Sequence, residues 1–278
     1  MSRIAVVGSV NLDLVARVPR LPAPGETLAA GDLQRVPGGK GANQALAARR
    51  LGAEVTLVAA VGDDPAADEA LALLHRDGVR LDRLRREPAH PTGHALITVD
   101  DSGETTIVVA AGANAALQVT PDDVRGADAV LTVLEIPDSA VAAAVEHAGG
   151  LVVLNAAPAR ALPPALLRQV DLVVVNTSEY AAIDGLDAAG AVAVTAGTDG
   201  AVLRRGGREV ARAAPPPVTV VDGTAAGDTF TAALVVALLD GASDADALRR
   251  ACAAGALTVT RPGAQPSLPT AAELAAVL

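Results

Sequence analysis

The chain has 278 residues, of which 51% are hydrophobic, and a formal net charge of −10 at pH 7. That length buries a full core, while the acidic balance lacks the basic face a nucleic-acid backbone requires, and one Tyr, one Phe and no Trp leave no base-stacking platform. A lone Cys252 allows no intrachain disulfide and fits a reducing cytoplasm, and four scattered histidines (His75, His90, His94, His147) outline no zinc site and read as surface or structural residues.

Residues 4–7 form the first apolar run and read as a buried strand; preceded only by Ser2 and Arg3, they are too short for the core of a secretory signal. Segments 11–18 and 27–36 partly alternate polar and apolar residues, as half-buried strands do. A helix at 41–51 stops at Gly52, followed by a strand at 54–61 and a helix at 65–76. Alternation returns at 93–99 and 104–110, joined by the hairpin turn Asp100-Asp101-Ser102-Gly103. Near-continuous apolar strands at 129–134, 151–154, 172–175 and 191–195 then interleave with helices at 138–148 and 163–169, and helices at 227–239 and 244–258 follow. Even the strongly apolar stretch 229–239 is too short to cross a bilayer.

This order predicts one α/β domain: a doubly wound, mainly parallel sheet flanked by helices, with a small antiparallel β lid. Insertions at 11–36 and 93–110 form the lid, and 1–10, 37–92 and 111–278 form the core. Ligands of such sheets bind beyond the strand C-termini. Four strands there end in polar groups, Glu135, Asn155, Asn176 and Thr195, which suggests a cleft along one rim.

Two glycine-rich segments carry the chemistry. In Val221-Asp222-Gly223-Thr224-Ala225-Ala226-Gly227-Asp228-Thr229-Phe230, small residues precede an apolar helix, so that backbone N–H groups at its N-terminus can meet phosphate oxygens. Asp228 would stand beside that phosphate as a general base; its plain alternative is a helix cap. In Val36-Pro37-Gly38-Gly39-Lys40-Gly41-Ala42-Asn43-Gln44-Ala45, glycines surround the only lysine of the chain, every other one of the 22 basic residues being arginine. Lys40 is followed by Gly41, so the segment is no Walker A loop, and Gly8-Ser9-Val10-Asn11 does not fit the dinucleotide fingerprint. Asn11 and Asp13, two apart on a strand, share a face and offer donors and acceptors to the hydroxyls of a polyol; an exposed edge pair is the alternative.

Taken with Gly112-Ala113-Asn114-Ala115-Ala116-Leu117 and Asn176-Thr177-Ser178-Glu179, these motifs resemble the ribokinase branch of the PfkB carbohydrate kinases, in order from Ile4 to about Leu268. The resemblance implies a ribokinase-like fold and transfer of the γ-phosphate of ATP to the 5-hydroxyl of D-ribose, with ATP, Mg²⁺ and K⁺ as cofactors. It implies that Asn11, Asp13, Gly39, Lys40, Asn43 and Glu135 hold the sugar, that Asp228 is the base, and that the N–H groups of Ala226 and Gly227 form the anion hole. Asn176 and Glu179 match the positions that place Mg²⁺ and the phosphates, largely through water. Thr195, Gly197, Thr198 and Gly200 match the loop over ATP, and Cys252 stands where a larger polar residue commonly flanks the adenine. Asp222, Thr224, Thr258, Arg261, Gly263 and Ser267 match the two loops that hold a monovalent cation, several through backbone carbonyls. Family members often pair lid to lid, which implies a homodimer. Another pentose, deoxyribose, a nucleoside or a sugar phosphate remains open as substrate, as does a sugar-binding sensor without turnover. The 15 residues between Val175 and Ala191 are a shorter connection than ribokinases usually carry, and Gly223 stands where they often have threonine.

Overall fold

The structure, a computed structural model, describes residues 1–102 and 104–278; Gly103, the last residue of the expected hairpin turn, lies outside the described residues. In chain order the strands and helices are β1 (Arg3–Val7), β2 (Asn11–Arg17), β3 (Gln34–Gly38), α1 (Lys40–Arg50), β4 (Glu54–Gly62), α2 (Pro65–Arg76), β5 (Leu84–Glu87), β6 (Gly93–Val99) and β7 (Thr105–Ala110). There follow α3 (Pro121–Val124), β8 (Ala129–Val133), α4 (Asp138–Glu146), β9 (Leu151–Asn155), α5 (Pro164–Leu167), β10 (Leu172–Asn176), α6 (Thr177–Ala182) and β11 (Val192–Thr195). The chain then runs through β12 (Ala201–Arg205), β13 (Arg208–Ala213), α7 (Ala226–Leu239), α8 (Asp244–Thr258) and α9 (Ala271–Ala275).

Among the described residues the large sheet has nine strands in the order β13-β12-β11-β10-β9-β8-β1-β4-β5. Pairing is parallel from β11 to β5 and antiparallel from β11 through β13. In β1, Ile4 and Val6 pack into the layer of α1, α2, α7 and α8, whereas Ala5 and Val7 pack into the opposite layer with α4 and α5. Burial on both faces explains why the parallel strands read as unbroken apolar runs. Helix α7 sits deepest, buried from Asp228 to Ala237, which is why its sequence is apolar all round.

The small sheet runs β3-β2-β6-β7. Its outer ladders are antiparallel as expected, but β2 and β6 pair in parallel at its centre. Residues 27–33 of segment 27–36 are not strand, and pairing begins only at Gln34. The short connection after β10 holds α6 and a single turn at Leu186–Ala188, and Ile183 and Leu186 fill the core beneath. That suffices for a parallel crossover to β11.

Candidate active site

The site lies at the C-terminal ends of the parallel strands, where α1 and α7 begin side by side. Helix α1 starts at a glycine with φ 87°, Gly39, where a Cβ would come within 2.7 Å of the Asn11 nitrogen. At Gly41 a Cβ would lie 2.5–2.6 Å from backbone atoms of Gly8 and Ser9, so only glycine lets the helix end rest on the turn after β1. Glu135, just past β8, caps that end: its Oε2 accepts from the Lys40 N–H at 3.0 Å and from the Ser9 hydroxyl. One oxygen of this expected sugar ligand is therefore committed to α1.

Helix α7 begins after Ala225, the only non-glycine residue with positive φ (62°) among the described residues. Holding alanine there costs of order 1 kcal/mol; the first N–H groups of α7, those of Ala226 and Gly227, have no carbonyl inside the helix to meet, and that of Ala226 makes a long 3.4 Å bond to the Gly223 carbonyl. Asp228 follows in the first turn and is 6% exposed. Its Oδ2 accepts from Asn43 Nδ2 at 2.9 Å and its Oδ1 from Gln44 Nε2 at 2.8 Å. Burial pushes the Asp228 carboxyl above the ordinary aspartate value, against the pull of Lys40, Asn43 and Gln44, and Glu135 adds to the rise. Burial alone would lower the Lys40 ammonium, but Asp228, Glu135, Glu179 and Asp13 around it hold it above the ordinary lysine value.

Asp13 is buried, and its Oδ1 has no partner among the described residues. Burial, then Glu135 and Asp228, push its carboxyl up to about 7 against the opposing charge of Lys40. Asn43 Oδ1 is likewise buried and unpaired. These oxygens suit the O–H donors of a polyol. Asn11 is oriented by a residue whose role the sequence did not disclose: Asn114 Nδ2 donates to Asn11 Oδ1 at 2.8 Å and to the Val10 carbonyl at 3.1 Å, while its Oδ1 accepts from the Val10 N–H. The Asn11 Oδ1 is thereby engaged, which leaves its NH₂ as the donor for a ligand.

Lys40, Asn155, Asn176, Glu179, Thr195, Gly223 and the Ala225–Asp228 segment line a cleft of roughly 220 Å³. Asn176 and Glu179 cap α6 reciprocally, each offering an oxygen to the other's N–H at 2.8 Å. A cation there would meet the remaining Glu179 oxygen or a water, which fits the water-mediated Mg²⁺ contact that the resemblance implies. Gly197, Thr198 and Gly200 form the adjacent turn between β11 and β12. Cys252 is buried in α8 with its Sγ 3.6 Å from the Ala213 carbonyl, outside the lining of this cleft, and burial pushes its thiol up to about 11.

Of the six positions expected around a monovalent cation, Asp222 draws two together with itself, accepting from the Thr224 N–H and hydroxyl and from the Gly263 N–H at 2.6–2.9 Å. Those bonds outweigh partial burial and hold its carboxyl below the ordinary range. Thr258 turns its hydroxyl to Thr229, Ser267 to the Ala264 carbonyl, and Arg261 pairs with Glu273. Only backbone carbonyls of these three remain for a cation. An anionic residue tying two loops fits such an ion, and among the described residues no cluster of His, Cys, Asp and Glu suits a transition metal.

Sequence reasoning missed Ser9, Gln44 and Asn114 as site residues and treated Asn155 only as a rim position. Their bonds span 19 to 184 residues of chain, which no local pattern reveals; the amide of Gln44, next to Asn43 inside the glycine-rich segment, was the available signal.

Residues 1–271 match the pfkB family carbohydrate kinase pattern. Over 296 residues the chain is 36% identical to the ribokinase of Haemophilus influenzae, covering 97% of this chain and 96% of that protein. It is 39% identical over 298 residues to the bifunctional ribokinase/ribose-5-phosphate isomerase A of Fructilactobacillus sanfranciscensis, covering 97% of this chain and about half, 55%, of that longer protein. The solved structure of Arabidopsis thaliana ribokinase complexed with ribose and ATP superimposes with a TM-score of 0.91 at 33% identity, covering 100% and 99% of the two chains. The chain belongs to the pfkB family of carbohydrate kinases, and the fold is that of the ribokinases.

Proposed function

We propose that the protein transfers the γ-phosphate of ATP to the 5-hydroxyl of D-ribose, giving D-ribose 5-phosphate. The observation that carries this reading is the buried Asp228 carboxylate at the N-terminus of α7, lining one cleft with Lys40. The name of the Haemophilus relative and the ribose and ATP bound in the Arabidopsis structure support it. The sugar lies under the small sheet, which acts as a lid within a single kinase domain, held by Asn11, Asp13, Gly39, Lys40, Asn43 and the free oxygen of Glu135. Asp228 accepts the hydroxyl proton as the O–P bond forms. The Ala226 and Gly227 N–H groups and Lys40 stabilise the charge on the phosphoryl oxygens.

On the nucleotide side, Asn176, Thr195, Gly197, Thr198, Gly200 and Gly227 border the ATP, with Cys252 behind the adenine. Mg²⁺, near Asn176 and Glu179, would neutralise phosphate charge, and K⁺, between the Asp222–Thr224 and Thr258–Ser267 loops, would stiffen the turn that leads into α7. In an assay coupling ADP release to sugar addition, ribose with ATP, Mg²⁺ and K⁺ gives saturable turnover. Chelating Mg²⁺ abolishes it, and exchanging K⁺ for a bulky organic cation lowers it by ~10-fold or more, a loss of about 1.4 kcal/mol in transition-state stabilisation. Faster turnover of deoxyribose, another pentose, a nucleoside or a sugar phosphate would reassign the substrate. Saturable ribose binding without ADP would mark a sensor.

We propose, further, that the protein is a homodimer paired through the lid, in the reducing cytoplasm that its lone cysteine fits. Leu96, Ile107, Val108 and Val109 are 48–58% exposed, and β7 is exposed along its whole length on an unpaired edge. Such an edge, with Leu96 and Val108 exposed on one face of the sheet and Ile107 and Val109 on the other, needs a cover, and a second copy of the same lid supplies one. Light scattering at micromolar concentration gives twice the monomer mass; Val108→Glu, which puts a charge on that edge, returns it to one. A monomer in the unmutated protein excludes this arrangement.

A further inference from the structure

A buried chain of side-chain amides leads from the central sheet to Asp228. The Val174 carbonyl, in the middle of β10, can only accept, and Asn155 Nδ2 donates to it at 3.1 Å. That turns Asn155 Oδ1 toward α1, where Gln44 Nε2 donates to it at 2.9 Å. The same Gln44 nitrogen also donates to Asp228 Oδ1 at 2.8 Å. Each amide is oriented by the one before it, because reversing either would set oxygen against oxygen. Gln44 has no exposed surface, and its Oε1 finds no partner among the described residues. A buried glutamine with an orphaned oxygen is costly to keep, and what it contributes here is two donors at one point.

The other oxygen of Asp228 has a different neighbourhood. Oδ2 meets Asn43, whose own Oδ1 is buried and finds no partner among the described residues. We infer that Gln44 and Asn155 are positioning residues that hold Oδ1 of Asp228 and keep the carboxyl ionised inside the core. This rests on the proposed base role of Asp228. The charged groups around Asp228 are Lys40 at the start of α1, Glu135 after β8 and Asp13 on β2, and none of them is touched by a change at Gln44.

The test compares kcat against pH, at saturating ribose and Mg²⁺-ATP, for the unmutated enzyme, Gln44→Met, Asn155→Ala and Asp228→Asn. Without the Gln44 donor the carboxylate is less stabilised, so the acid limb of Gln44→Met moves to higher pH by about one unit, with about tenfold lower kcat below it. The KM for ribose stays within about twofold, since Gln44 meets Asp228 rather than the sugar. Asn155→Ala, which frees Gln44 to turn, moves the limb the same way by less. An unmoved acid limb in folded Gln44→Met overturns the inference, and a near-normal kcat in Asp228→Asn overturns the base reading instead. Independently of any variant, side-chain NMR of the unmutated protein shows both Gln44 amide hydrogens protected from exchange; rapid exchange of either also overturns the inference.

Discussion

Replacing Asp228 by asparagine lowers kcat for ribose phosphorylation by ~10²–10⁴-fold, the range for loss of a positioned general base. The substitution removes the proton acceptor while keeping the shape of the side chain, so ribose affinity by calorimetry is largely retained and the loss appears in kcat rather than KM. Asparagine places an NH₂ where Asn43 and Gln44 now donate, so one of those bonds breaks. The cost of that mismatch, about 1–3 kcal/mol, is opposed by relief from burying a charge, and the melting temperature moves little. The unmutated enzyme carries the same logic in its pH dependence. Burial raises the carboxyl of Asp228, and only the ionised form accepts a proton, so kcat falls as pH drops from an acid limb above that of ordinary aspartate. Turnover near that of the unmutated enzyme in Asp228→Asn would remove Asp228 from the chemistry.

The parallel core was legible because two-faced burial writes itself as unbroken apolar runs, and α2 and α8 matched their expected limits because each carries a local start signal. Asp64 and Ser243 accept from the N–H groups of Ala67 and Asp246, the bonds that define those helix starts. Strands β12 and β13 went unseen for the opposite reason. They lie at the antiparallel edge, where Ala201, Leu203 and Ala211 alone are buried and the other positions mix arginines with Val202, Glu209, Val210 and Ala213, so no sustained hydrophobic period survives. Edge strand β5, Leu-Arg-Arg-Glu, failed in the same way. In the site, the motif residues announced themselves through glycine and charge, because close backbone approach and phosphate chemistry demand those residue types. The amides that orient them did not: Gln44 and Asn155 acquire their meaning only when α1, β9 and α7 converge, and an isolated Gln or Asn carries no signature of its partner.

Asp13 to asparagine gives the second large effect, and it runs in opposite directions for function and stability. The sugar loses an ionised acceptor, and hydrogen bonds to a charged group are worth about 1.5–3 kcal/mol, so kcat/KM for ribose falls by roughly 10²-fold. In the unmutated protein the carboxyl is pushed up to about 7 by burial and by its anionic neighbours Glu135 and Asp228. Its folded value lies above its unfolded one, so the native chain holds this proton more tightly. The stability this lends is complete below the unfolded pKa and is lost as pH rises through about 7. Above that pH the ligand-free protein carries a buried charge that Lys40 only partly offsets, costing about 2–4 kcal/mol, which asparagine removes. Asp13→Asn therefore melts at a higher temperature than the unmutated protein at pH 8, by several degrees, and the gap closes toward pH 5. Ribose binding favours the ionised form, so kcat/KM in the unmutated enzyme rises with pH through about 7 and flattens in the variant. A melting difference independent of pH, or an unchanged kcat/KM, would show that Asp13 neither stores this strain nor meets the sugar.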